Sequence, residues 1–151
     1  DNGIYTLVNG QKNADGTYTF TTGHFSEYAV MAKEEADKKI AEQLDTMIKD
    51  VNLKVRTSKT AKKNIKAVVS GDVKAITDAG YTVKYKFYRS EKKASKYEAK
   101  ATKAGKTYIN TKGKKGTKYY YKAKALVYDG DKLVGQTVLT QCKYGARTWS
   151  K

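Results

Sequence analysis

A chain of 151 residues that is 39% hydrophobic and 30% charged holds enough apolar side chain to bury a core, which excludes wholesale disorder. Apolar residues fall in short runs, far below the ~18 needed for a membrane span, and the single cysteine, Cys142, excludes an internal disulfide framework and a four-thiolate zinc site. Charge divides the chain near residue 50: residues 1–50 carry 5 Lys and 9 acids, a net of −4, whereas the remainder carries 26 basic and 6 acidic side chains, a net of +20.

The first element expected is a hairpin. "GIYTLVN" and "GTYTFTT" are rich in Tyr, Thr and Phe with period-two patterning, and "NGQKNADG" between them reads as a turn-rich connection. "HFSEYAVMA" reads as a third strand, so residues 1–33 form a short three-stranded β piece. There is no basic segment followed by an apolar one at the start, and the chain begins inside what reads as a strand and lacks an initiator Met, so it reads as a piece of something longer.

"KEEADKKIAEQLDTMIKDV" repeats apolar residues at Ala36, Ile40, Leu44, Met47, Ile48 and Val51, spacings of three and four that draw one stripe along a helix. Glu34, Glu35 and Asp37 fall in its first turn, where acids favour the positive end of the helix dipole. This is an amphipathic connector helix over residues 34–50, with its stripe covered by the protein itself.

From residue 51 to 151 the chain reads as strands: "LKVRTSK", "NIKAVVSG", "YTVKYKFYRS", "KYEAKAT", "TYINTKG", "TKYYYKAKALVY" and "LVGQTVLTQCKY". Seven segments at this spacing, divided by turn-like "SGD", "DAG", "SEKKAS", "KAGK", "KGKKG" and "DGD", predict a seven-stranded immunoglobulin-like sandwich. Alternation assigns the faces. Ile65, Ala67 and Val69 share one side, as do Val83, Tyr85 and Phe87, with Lys66, Lys84 and Lys86 opposite. Taking Tyr119 as inward carries Tyr121, Ala123, Ala125 and Val127 with it and turns Lys118, Tyr120, Lys122 and Lys124 outward. Cys142 is expected as a small, half-buried strand residue.

Two stretches, "GYTVKYKFYRSEKKASK" and "GKTYINTKGKKGTKYYYKAKALVYDGDKLVG", resemble the fibronectin type III-like modules of Gram-positive bacterial surface and secreted proteins. The resemblance spans about residues 51–144. It implies a fibronectin type III-like fold in which Tyr119 takes the place of the corner tyrosine, ring inward and hydroxyl tied to nearby backbone, and Val69 stands where the family carries a tryptophan. "ADGTYTFTTGHFSEYAVMAK" is similar to the closing strands of β-rich repeat domains in secreted bacterial surface proteins, which implies that residues 1–33 are the β-strand tail of an upstream domain and that His24 is structural. Both resemblances imply an extracellular location, on the cell surface or cell wall.

Chemistry-bearing motifs are few. One His and one Cys leave no redundancy for a nucleophilic pair, "KGKKGTKY" feeds a strand and not a helix, and "DGD" lacks the spacing of a calcium loop. No catalytic, cofactor or metal residues are assigned, and a noncatalytic spacer within a multidomain surface protein is expected, with neighbouring domains of the same chain as its partners. The alternative is an adhesion module that binds glycans or anionic wall polymers, with Tyr120, Lys122, Tyr128, Tyr88 and Trp149, joined by Tyr97, as ligand contacts. Nucleic acid is disfavoured: only three basic residues of the second part are Arg (Arg56, Arg89, Arg147), and Arg supplies the planar fork for bidentate contacts to bases and phosphates.

Overall fold

The structure, a computed structural model, describes residue 8 and residues 10–21, 32–60 and 64–148. It is mainly β and divides into two compact units, Asp1–Thr46 and Met47–Lys151.

In the first unit, β1 (Gln11–Lys12) pairs antiparallel with β2 (Tyr18–Thr19), Gln11 opposite Thr19 and Lys12 opposite Tyr18. The first of these strands therefore lies inside the segment expected to be a connection. Its turn is closed by Asp15, whose carboxylate accepts hydrogen bonds from the Thr17 backbone N–H at 3.0 Å and hydroxyl at 2.6 Å. Those bonds hold the carboxyl below its ordinary pKa, the side-chain bond contributing most. The expected strands "GIYTLVN" and "HFSEYAVMA", and His24, lie outside the described residues but for Val8 and Ala32.

The helix α1 (Lys33–Asp50) follows, with Glu34 and Glu35 in its first turn and Lys49 in its last. Of its stripe, Leu44 and Ile48 are buried, as is Val51 just beyond the helix. Its polar side carries Lys33–Asp37, Lys39–Glu35 and Lys38–Glu42 pairs one turn apart, each worth only a few tenths of a kcal/mol at such exposure. No helix among the described residues is long and apolar enough to cross a membrane.

The second unit holds two antiparallel sheets. The smaller orders β3 (Lys54–Lys59), β4 (Ile65–Ser70) and β7 (Thr107–Asn110) side by side. The larger is built on β8 (Lys118–Asp129), the longest strand, flanked on one side by β5 (Thr82–Ser90) and then β6 (Glu98–Lys103). On the other side of β8 lie β9 (Lys132–Gln136), β10 (Thr140–Gln141) and β11 (Ala146–Arg147) in succession. Gly130, the first of two residues between β8 and β9, has φ +55°, a conformation that glycine adopts without steric cost and that lets the hairpin turn in two residues.

Alternation along β8 is realised in full: Tyr119, Tyr121, Ala123, Ala125 and Val127 are all buried. The two sheets meet through these residues. Tyr108 of β7 lies between Phe87 of β5 and Tyr121 of β8, with ring centroids 5.8 and 6.2 Å apart, within the range where aromatic pairs add to simple area burial.

The structure departs from simple patterning at three places. The short helix α2 (Lys74–Asp78) begins within "VKAIT", where no element is expected, and takes in Asp78 of the turn-like "DAG"; its Ile76 is fully buried. Leu126 is buried although it sits on the outward side of β8. And "LVGQTVLTQCKY" is broken at Thr137 and Cys142, where a side chain replaces the backbone acceptor that would continue the ladder, an arrangement repeated at Thr148 beyond the segment. Thr137, Cys142 and Thr148 each donate their N–H to a carbonyl of β8 or the residue preceding it, respectively Ala125, Tyr121 and Thr117. The return N–H of each partner goes to a side chain: Ala125 to the Thr137 Oγ1 at 3.0 Å, Tyr121 to the Cys142 Sγ at 3.2 Å and Thr117 to the Thr148 Oγ1 at 3.1 Å. These six N–H groups are thereby satisfied without regular pairing, and Val138, Leu139 and Tyr144 are left exposed along the interrupted strand.

Candidate functional site

Strand parity gathers the expected contact residues. Tyr88 on β5 and Tyr120, Lys122 and Tyr128 on β8 are even-numbered, opposite in parity to the buried set, and so share the outward face of the larger sheet. Register fixes their spacing across the sheet: Tyr88 stands opposite Lys122, Ser90 opposite Tyr120 and Thr82 opposite Tyr128. Trp149 lies outside the described residues.

These tyrosines are half-buried, and each has an ammonium over its ring. Lys84 Nζ lies 4.9 Å from the Tyr128 centroid, Lys86 Nζ 5.7 Å from Tyr88, Lys118 Nζ 5.5 Å from Tyr120 and Lys122 Nζ 4.3 Å from Tyr97. Such cation–π contacts hold flexible lysines in place. Tyr120 packs its ring so closely on Gly145 that a Cβ there would come within 2.8 Å of the Cδ1 and Cε1 atoms. The rings therefore act as seats for ammonium groups, with less free face than the adhesion reading expects of a sugar-stacking row.

Tyr97 is held from the loop preceding β6. Its hydroxyl donates to the Lys93 carbonyl at 2.9 Å, and the Gln141 Nε2 donates to the same oxygen at 2.9 Å, tying this loop to β10. Ser90 shapes the loop's start by accepting from the Lys92 N–H at 2.9 Å and donating to the Ser95 carbonyl at 2.6 Å. Burial, aided by Cys142 and Tyr120, pushes the Tyr97 phenol up to about 12.

Beneath this face lies a buried polar cluster that pattern reading missed. Asn110, 1% exposed, accepts from the Arg89 Nη1 at 2.8 Å and donates from Nδ2 to the Tyr121 hydroxyl at 2.9 Å. The guanidinium of Arg89 stacks over Tyr119, 4.6 Å from its centroid. Tyr119 is 1% exposed, and its hydroxyl accepts the Lys114 backbone N–H at 3.0 Å. Burial pushes the Tyr121 phenol well above its usual range, against the smaller lowering by its bond from Asn110. The cluster spans both sheets, since Asn110 is on β7 and Arg89 and Tyr121 are on β5 and β8. Its sequence signal is faint: an Asn and an Arg at inward parity on otherwise apolar or aromatic strand faces.

Cys142 is 2% exposed, its thiol pushed up by burial despite the lowering effect of the hydrogen bond it accepts from Tyr121. The enclosed thiol serves as a hydrogen-bond acceptor, and its burial disfavours the reactive thiolate. Among the described residues no group of three or more His, Cys, Asp or Glu could hold a metal ion.

No protein-family model matches the chain, and a search of curated proteins found none similar to it.

Proposed function

We propose that residues 51–148 form a fibronectin type III-like sandwich acting as a noncatalytic spacer in an extracellular, multidomain surface protein of a Gram-positive bacterium. The observation that carries this reading is where the chain joins the unit. Ile48 in the last turn of α1 packs against Gly135 on β9, which stands opposite Val127, and this places the approach of the chain near the Asp129 end of β8. Thr148 bonds to Thr117 and Lys114, beside the Lys118 end. Twelve residues of β8 separate the two points, which at about 3.3 Å per residue is on the order of 40 Å. A unit with its two connections at opposite ends lengthens a chain of domains. The corner-like placement of Tyr119 and the strand order of the two sheets support the sandwich reading, and the motif resemblance supports the surface-protein setting.

Pulling on residues 51 and 148 in a single-molecule force experiment tests this. A spacer resists as one body and then opens in one cooperative step that lengthens the chain by about 300 Å, from ~3.4 Å per released residue less the folded span. Gradual lengthening at low force would remove the basis for a rigid spacer.

A further inference from the structure

Beyond a spacing role, the outward face of β5 and β8 has a charge arrangement that its own fold leaves uncompensated. Lys86 stands directly opposite Lys124, and Lys118 directly opposite Arg147. Like charges facing each other across a sheet destabilise it. Neutral groups hold these cations: Lys124 donates to the Gln136 Oε1 at 2.7 Å and Arg147 to the Gly116 carbonyl at 2.9 Å, while Lys86 and Lys118 lie over Tyr88 and Tyr120. No outward position of β5 or β8, residues 82–90 and 118–128 at even numbers, carries an acid.

We propose that this face docks an acidic polysaccharide, whose carboxylate or sulfate groups settle between the opposed cations Lys86/Lys124 and Lys118/Arg147. Residues 118 and 124 are six apart on one strand, so the two pairs are separated by about 20 Å at ~3.3 Å per residue. Lys84, Lys86, Lys122 and Lys124 between and beside them are spaced by about 5–7 Å, inside the ~8 Å Debye length of physiological salt, and so act together on one chain. Rings that fix the ammonium groups in advance reduce the entropy lost when a ligand binds.

The same geometry disfavours nucleic acid. Single strands need open aromatic faces for base stacking, and here the rings are occupied by ammonium groups or packed on Gly145. A duplex is read chiefly by Arg forks on base edges and phosphates, and the outward even-numbered positions of β5 and β8 carry Lys and no Arg. A chain of acidic sugars can lie across the strands, with hydroxyls within reach of the tyrosine hydroxyl groups.

The test uses the full chain titrated with polygalacturonate, neutral dextran and duplex DNA at about 0.15 M salt. Polygalacturonate should bind and dextran should not, and duplex DNA should bind more weakly than polygalacturonate. Lys86→Gln with Lys124→Gln should weaken polygalacturonate binding at least about tenfold, whereas Lys54→Gln with Lys66→Gln, an equal loss of charge on the smaller sheet, should change it less than about twofold. Lys86→Gln alone should raise the thermal midpoint of the free protein, since it removes an opposed like charge. Equal losses in the two double variants, tighter binding of DNA, absence of polygalacturonate binding, or a lowered midpoint in Lys86→Gln would each overturn the proposal.

Discussion

Replacing Asn110 with alanine tests the junction between the sheets. Asn110→Ala removes the acceptor of a charge-assisted bond from Arg89 and the donor to the Tyr121 hydroxyl, and leaves both partners in place. A hydrogen bond to a charged group contributes about 1.5–3 kcal/mol and a neutral one about 1. Arg89 is only half-buried and can recover part of its loss from water. The expected cost is therefore about 3 kcal/mol, which for a domain of about 100 residues is a fall in Tm of roughly 10–15 °C. Urea unfolding followed by far-UV circular dichroism should show a lowered midpoint with an unchanged slope. Asn110→Asp supplies a partner for Arg89, so at neutral pH it should be the more stable of the two variants. Its advantage should vanish as pH falls well below about 4 and the new carboxylate is protonated. A loss below about 0.5 kcal/mol in Asn110→Ala, within the range of ordinary surface substitutions, would show that the cluster does not join the sheets.

Other consequences are as direct. Thr137→Val keeps shape but removes the acceptor of the Ala125 N–H, and should cost about 1–3 kcal/mol in denaturant titration, with Thr137→Ser near wild type; equal stability of all three would place that N–H elsewhere. The Cys142 thiol should be silent to a thiol-reactive dye in the folded protein and react stoichiometrically in denaturant, and rapid labelling of the native state would contradict its burial. Tyr97, Tyr121, Tyr85 and Tyr81 have folded-state pKa values raised above the ordinary 10.0, chiefly by burial. The unfolded chain therefore releases protons first as pH climbs past about 10, so the stability present below that value should decline between about 10 and 12. Absorbance titration at 295 nm should show a group of phenols ionising late, and a single transition near 10 for all tyrosines would refute their enclosure.

What the sequence made legible depended on how much of each element a pattern could cover. Along β8 five consecutive odd positions are apolar or aromatic, so the inward set was readable to the residue. The stripe from Ala36 to Val51 was readable for the same reason over more than four helical turns. Five residues of α2 are too few to display a helical period, and only Ile76 among them is buried, so no pattern distinguishes that helix from a loop. The last strand misled because "TVLTQC" is rich in strand-forming residues. Its interruptions depend on where Thr137 and Cys142 direct their polar side-chain atoms, a tertiary property. One local sign was present: adjacent Val138 and Leu139 break the alternation that a half-buried strand requires.

The contact face shows the same division. Parity alone united Tyr88, Tyr120, Lys122 and Tyr128, whereas the seating of each ammonium over a ring and the opposition of Lys86 to Lys124 required the register between strands. Asn110 and Arg89 interrupt apolar faces, and a polar residue at inward parity marks a partner across the core without saying which residue it is.

The most direct measurement is of proton cross-relaxation between aromatic rings in the folded protein by NMR. Two sheets that face each other through β5, β7 and β8 require cross peaks from Tyr108 to both Phe87 and Tyr121, given centroid distances of 5.8 and 6.2 Å. Tyr108 and Tyr121 rings that instead give no cross peaks to each other, with a Tyr121 hydroxyl proton that exchanges freely with solvent, would place β7 away from β8, and the facing-sheet architecture with its outward lysine face would not stand.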